Sequence, residues 1–213
     1  MCLFDLDENS LKIKKEKFNP FSKEFLVDKY GNKEGKIEKK KEKGIKNIDF
    51  KGLYIMDNGD ISVNAEEFYS KTHTSTNGSY TTYHFDDIMS LRMNSEGDLK
   101  WARNINKRQV GFLNSSYTSI PVGEDSYFFI NCSDNIKKLS GDRISFKHTK
   151  AKKSNLYMIK INKDGNFDFK KLIDDKESKV YYKVNNGNVN LNNQTVILTG
   201  KRKKNTRILK LKM

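Results

Sequence analysis

Apolar and polar residues alternate with a period of two along much of this chain. Met89, Leu91 and Met93 alternate with Ser90 and Arg92, and after a short polar break Leu99, Trp101 and Ile105 alternate with Lys100, Ala102 and Asn104. Tyr157, Ile159 and Ile161, then Phe167 and Phe169, repeat the arrangement. Successive side chains on a strand point to opposite faces, so this pattern predicts β-hairpins. Asn94-Ser-Glu-Gly97 and Asn162-Lys-Asp-Gly165 supply the turns. Asn opens a type I turn and Gly takes the position that needs positive φ. The two hairpins are copies of one unit: Asn94 and Asn162, Gly97 and Gly165, Trp101 and Phe169, and Ile105 and Ile173 all match at an offset of 68.

A second pair of strands precedes each hairpin. Residues 53–56 and 61–68 flank the turn 57–60, and residues 116–122 and 126–131 flank the turn 123–125. Residues 180–185 and 195–200 flank an Asn-rich turn around Gly187. The repeating unit is four antiparallel strands in the order a, b, long loop, c, d, which describes a propeller blade. The predicted fold class is therefore all-β and β-propeller-like, with about three four-stranded blades forming a partial propeller. The expected organisation within one domain is a c–d hairpin at 1–17, an insertion at 18–46, blades at 47–109 and 110–175, and an incomplete blade at 176–213. The first hairpin is expected within residues 3–13, turning at 7–10. In the insertion, residues 18–31 predict one short helix, with Asn19 as cap, Pro20 in the first turn and Gly31 at the end. Residues 34–46 are a mixed-charge tract expected to form a solvated loop or a frayed helix.

Composition narrows the classes. Hydrophobic residues make up 35% of the 213, as expected of thin sheets with one apolar face. No apolar run approaches the roughly 18 residues of a membrane span. The first residues show neither the basic region nor the apolar stretch of a signal peptide. Two cysteines, Cys2 and Cys132, support neither a disulfide framework nor a cysteine-based zinc site. The formal charge is +14, and it is unevenly placed: residues 133–213 hold 21 basic and 7 acidic residues, whereas residues 51–132 hold 7 and 10. Such an excess suits a polyanionic partner, although Lys-rich surfaces are also often simply solvated.

The b–c–d pattern resembles a widespread bacterial propeller repeat, carried here by Asp87, Asn94, Gly97 and Trp101 and again by Asn155, Asn162, Gly165 and Phe169. More closely, residues 44–213 resemble the C-terminal half of a group of uncharacterised bacterial β-propeller proteins, at Ala65-Glu66, at 101–109 and at Asn131. The resemblance implies architecture rather than activity. Those relatives are longer and exported, so a chain that is a fragment of such a protein is expected in the envelope or outside the cell. Three blades cannot close a ring, so open blade edges are expected to pair with a second copy or another chain.

In a propeller the b–c loops share one rim, and that analogy gathers the candidate binding residues. The first loop, 69–85, holds His73 and His84. The second, 132–154, holds Arg143 and His148 among many lysines. The third is Lys201, Arg202, Lys203 and Lys204. Lys107 and Gln109 leave strand d on that rim, and Glu66 and Asn131 end equivalent b strands there. The expectation is a binding or scaffold module without a catalytic set or cofactor, whose partner is a protein or a polyanion. The alternative is half of a polysaccharide-acting propeller enzyme. No HExxH, G-x-S-x-G or Walker loop is present. The stretch 164–168 fails as a calcium loop, since Lys160 and Lys171 stand where acids are needed.

Overall fold

The computed structural model describes residues 2–31, 37, 44–111, 115–139, 143–147 and 154–213. The architecture is all-β, with several antiparallel sheets and none closed into a barrel or ring. β1 (Cys2–Leu6) and β2 (Ile13–Phe18) form a two-stranded sheet, and helix α1 (Lys23–Tyr30) follows. β3 (Ile48–Ile55), β4 (Ile61–Ser75), β5 (Gly78–Met93) and β6 (Leu99–Val110) lie side by side in chain order as an antiparallel meander. The chain then runs through β7 (Tyr117–Val122) and β8 (Asp125–Cys132) and leaves through β9 (Lys137–Lys138) and β10 (Ile144–Lys147). It returns in β11 (Asn155–Ile161) and β12 (Phe167–Ile173), which complete a second four-stranded meander with β7 and β8. A short helix α2 (Asp175–Ser178) leads to the third sheet, made of β13 (Tyr181–Tyr182), β14 (Asn188–Asn190), β15 (Thr195–Arg202) and β16 (Asn205–Lys212).

The sheets stack because each strand carries apolar residues on the faces it buries. Ile88, Trp101 and Ile105 of the first sheet pack against Tyr117, Phe128, Ile130, Ile159 and Ile161 of the second. The opposite face of the second sheet, through Ile120, Phe129 and Leu156, packs against Val180, Tyr182, Val196 and Leu198 of the third. Phe128, Phe129, Ile130 and Ile159 are fully buried, and each such side chain contributes about 1.5–3 kcal/mol relative to exposure. Helix α1 covers part of the remaining face of the first sheet, its Phe25 and Leu26 sitting on Val63, Ala65, Met89 and Leu91, while Phe50, Leu53 and Ile55 at the β3 edge of that face are exposed.

The repeated turns have matching hydrogen bonds. Asn94 Oδ1 accepts from the amides of Glu96 and Asp98, and Asn162 Oδ1 accepts from those of Asp164 and Asn166. Gly97 and Gly165 have φ of 84° and 82°. A Cβ on Gly165 would also come within 3.0 Å of the Trp101 ring, so this glycine serves the packing of sheet on sheet as well as the turn.

Several expectations are corrected. Helix α1 begins at Lys23 rather than near Asn19, and Ser22 caps it by accepting from the Phe25 amide at 3.2 Å. Asn19 instead grips the β5–β6 turn: Nδ2 donates to the Gly97 carbonyl at 2.7 Å and Oδ1 accepts from the Leu99 amide. The first hairpin turns over residues 7–12, with Leu11 at φ 54°, and its second strand runs to Phe18. Residues 69–85 are not a loop. β4 and β5 continue as a paired ribbon from Phe68↔Phe85 out to Ser75↔Gly78, because Thr, Tyr and His alternate on both strands and pair across them. The 132–154 connection contributes β9 and β10, and β10 joins the first sheet parallel to β6. The inner strand of the third sheet is split into β13 and β14 by a 3-10 turn at Val184–Asn186. Nearly all of the tract 34–46 before Gly44 lies outside the described residues, as does His148.

Candidate functional site

Four of the residues expected on a binding rim meet instead inside the protein. The bulge between Phe50 and Gly52 on β3 turns Lys51 toward Glu66 on β4. Lys107 reaches Glu66 from β6. Glu66 and Lys107 both have fully buried side chains, with Nζ 2.5 Å from Oε1. The second carboxylate oxygen accepts from Lys51 at 2.7 Å and from the Ser116 hydroxyl at 2.6 Å. Lys107 also donates to the Phe85 carbonyl and to Gln109 Oε1. Burial pushes the Lys107 ammonium below its ordinary pKa, and Glu66 opposes that shift. Every proton of the ammonium has an acceptor, which is the condition for holding a charge at such depth.

The network continues across all three sheets. Gln109 Oε1 accepts from the Ser116 amide, and its Nε2 donates to the Asn131 carbonyl at 2.7 Å. Asn131 Nδ2 donates to the Tyr182 carbonyl, also at 2.7 Å. Tyr182 in turn faces Gly200 on β15, where a Cβ would come within 2.6 Å of Val180. Glu66, Lys107, Gln109 and Asn131 therefore form a girdle that ties the b strands together beneath the rim. Most of their polar atoms are engaged in this bonding, and the Glu66 side chain is fully buried.

A second clamp, which sequence reasoning missed, fixes α1. Arg103 donates to both carboxylate oxygens of Asp28 and to the Gly165 carbonyl, so helix, first sheet and second sheet meet at one guanidinium. Lys29 lies between Glu67 at 2.7 Å and Asp87 at 2.9 Å. Burial depresses its ammonium, but Asp87 and Glu67 together outweigh burial and hold the pKa above its usual value. Arg143, expected on the rim, donates to the carbonyls of Asp28 and Lys29 at the end of the helix. These pairings join residues 38 or more positions apart, and no local spacing signals them.

The girdle aligns the b strands, so the three b–c connections leave from the same end. The β4–β5 ribbon carries His73 stacked on Tyr80 at 4.8 Å, and at its base His84 stacked on Tyr69 at 4.6 Å. His73 and Tyr80 are exposed, whereas His84 is buried and hydrogen-bonded to Thr82. Residues 69–84 contain Lys71, His73 and His84 and no acid. From the second connection come Lys137, Lys138 and Lys147, all exposed. From the third come exposed Lys201, Lys203 and Lys204, with Arg202 lying over the Tyr181 ring at 5.3 Å. Among the described residues none of these cations enters an ion pair. The pairs present use lysines and one arginine elsewhere: 14, 17, 29, 51, 100, 103, 107, 160 and 171.

Other chemistry finds little support. Among the described residues no group of three His, Cys, Asp or Glu side chains stands close enough to share a metal ion. Cys132 is buried, and burial pushes its thiol far above the ordinary value. Trp101 is buried between the first two sheets, donating from Nε1 to the Lys163 carbonyl. Among the described residues no helix is long and apolar enough to cross a membrane. Comparison with known protein families, with curated proteins and with solved structures finds no match to this chain.

Proposed function

We propose that the stacked sheets are successive blades of an open, propeller-like array, and that the array is a non-catalytic module that binds a polyanion along its b–c end. The 68-residue offset and the a–b–c–d order of the two full meanders support the architectural half of this reading. The functional half rests on one observation. Exposed cations from all three connections project from one end without acidic partners among the described residues, whereas Lys29, Lys51, Arg103 and Lys107 in the interior are ion-paired. Unpaired surface cations held by a rigid frame bind an extended anion chiefly by releasing its counterions, so affinity falls steeply with salt.

The enzyme alternative gains nothing from the geometry, since its one candidate carboxylate, Glu66, is locked by Lys107, Lys51 and Ser116. Retention on heparin and on a single-stranded oligonucleotide, measured over a range of salt concentrations, tests the proposal. Retention should weaken steeply as salt rises and should drop when Lys201, Lys203 and Lys204 are changed together to Ala. Retention indifferent to salt or to those changes would count against it.

A further inference from the structure

Each sheet ends in strands paired on one side only, and two of these edges belong to β1, paired among the described residues only with β2, and β16, paired only with β15. An unpaired edge is a row of backbone donors and acceptors ready to add a strand. The side chains of the two edges complement each other. On β1, Phe4 and Leu6 point to one face and Asp5 to the other, and all three are exposed. On β16, Leu209 and Leu211 share the face that leads into the core of the third sheet, while Lys210 and Lys212 point outward and are exposed. Residues 2–8 carry three acids and no base, and residues 205–213 carry three bases and no acid.

We propose that β1 of one copy adds to the free edge of β16 of a second copy. Setting Leu6 opposite Leu211 places Asp5 opposite a lysine whichever way the added strand runs: Lys212 if antiparallel, Lys210 if parallel. In the antiparallel register Phe4 meets Met213, and in the parallel register it meets Leu209. A slip of one residue would put Asp5 against the apolar row and the lysines against Phe4 or Leu6, so the alternation fixes the register. The added strand extends the apolar row Leu209–Leu211, which is only half-buried within one copy. Phe4 and Phe18, now in an edge-to-face contact at 6.2 Å on an exposed hairpin, gain a neighbour. If each copy both gives and receives a strand, the result is a closed dimer; if not, it is an open chain.

Sedimentation of the full chain over a wide concentration range tests this directly. The unmodified chain should associate. Asp5→Lys should raise the dissociation constant about tenfold by replacing an attractive cross-strand pair with a repulsive one at each contact. The double change Lys210→Glu with Lys212→Glu should do the same. Combining all three changes in one chain should restore association, because the charges are then exchanged between strands rather than lost. These positions are exposed and outside the polyanion-binding end, so circular dichroism should be unaltered and heparin retention through Lys201, Lys203 and Lys204 should persist. A monomer at every concentration would overturn the proposal. So would association that ignores both reversals, or a combined variant that stays as dissociated as its parents.

Discussion

Replacing Glu66 by Gln should cost this protein a large part of its stability. The change is isosteric, so it leaves no cavity. It removes the only carboxylate bonded to Lys107, whose ammonium is fully enclosed and keeps just the Phe85 carbonyl and amide oxygens as acceptors. Breaking one side of a buried ion pair costs about 3–5 kcal/mol. In a domain of this size that lowers the melting temperature by about 10 °C. Lys107→Met should cost less, since Glu66 keeps Lys51 and the Ser116 hydroxyl. The double variant should be more stable than Glu66→Gln alone, because no orphaned charge remains. The pH dependence carries a sign. The folded-state pKa of Lys107 lies below its unfolded value, so between the two the unfolded chain binds more protons and stability rises with pH. Glu66→Gln lowers the folded value further. The deficit of this variant against the unmodified protein should therefore shrink as pH climbs toward the ordinary lysine range. Urea denaturation at several pH values measures all of this. A Glu66→Gln protein as stable as the parent, or a double variant whose losses simply add, would refute the girdle as described.

Three further outcomes follow from the packing. Arg103→Ala should destabilise by about 2–3 kcal/mol and make α1 the first element to lose amide protection in hydrogen exchange, since charge-assisted bonds to Asp28 and a bond to Gly165 go together. Gly165→Ala should destabilise by about 1–3 kcal/mol, because positive φ and the Trp101 ring both oppose a methyl group there; indole fluorescence during thermal melting reads it. In a Cys2→Ser chain, the remaining thiol of Cys132 should resist a disulfide reagent at neutral pH and react at once in denaturant, and prompt reaction in the native state would contradict its burial.

The hairpins, their turns and the meander order were legible because they depend on period-two alternation and on Asn and Gly at fixed positions, both local properties. The ribbon of β4 and β5 was readable in principle. Tyr69, Lys71 and His73 alternate with Ser70 and Thr72, but residues 69–84 hold no aliphatic side chain, so the stretch resembles a polar loop to a search for buried strands. The girdle was half legible. Glu66, Lys107, Gln109 and Asn131 stand out in the sequence as polar residues near strand ends, and in the structure they converge. Whether such residues face solvent or one another depends on how the sheets stack, which no spacing records. The addition of β10 to β6 was invisible for the same reason: it joins segments about 40 residues apart through backbone hydrogen bonds and the burial of Phe146.

The central functional claim is that cations at the b–c end, rather than the overall charge of +14, bind a polyanion. Titration calorimetry with a heparin oligosaccharide tests it most directly, comparing two variants of equal net charge. One changes Lys201, Lys203 and Lys204 to Ala; the other changes Lys14, Lys23 and Lys170, which lie elsewhere on the surface. The account predicts a large loss of affinity in the first variant and little change in the second. Equal losses in both would show that the charge acts only in bulk and would contradict it.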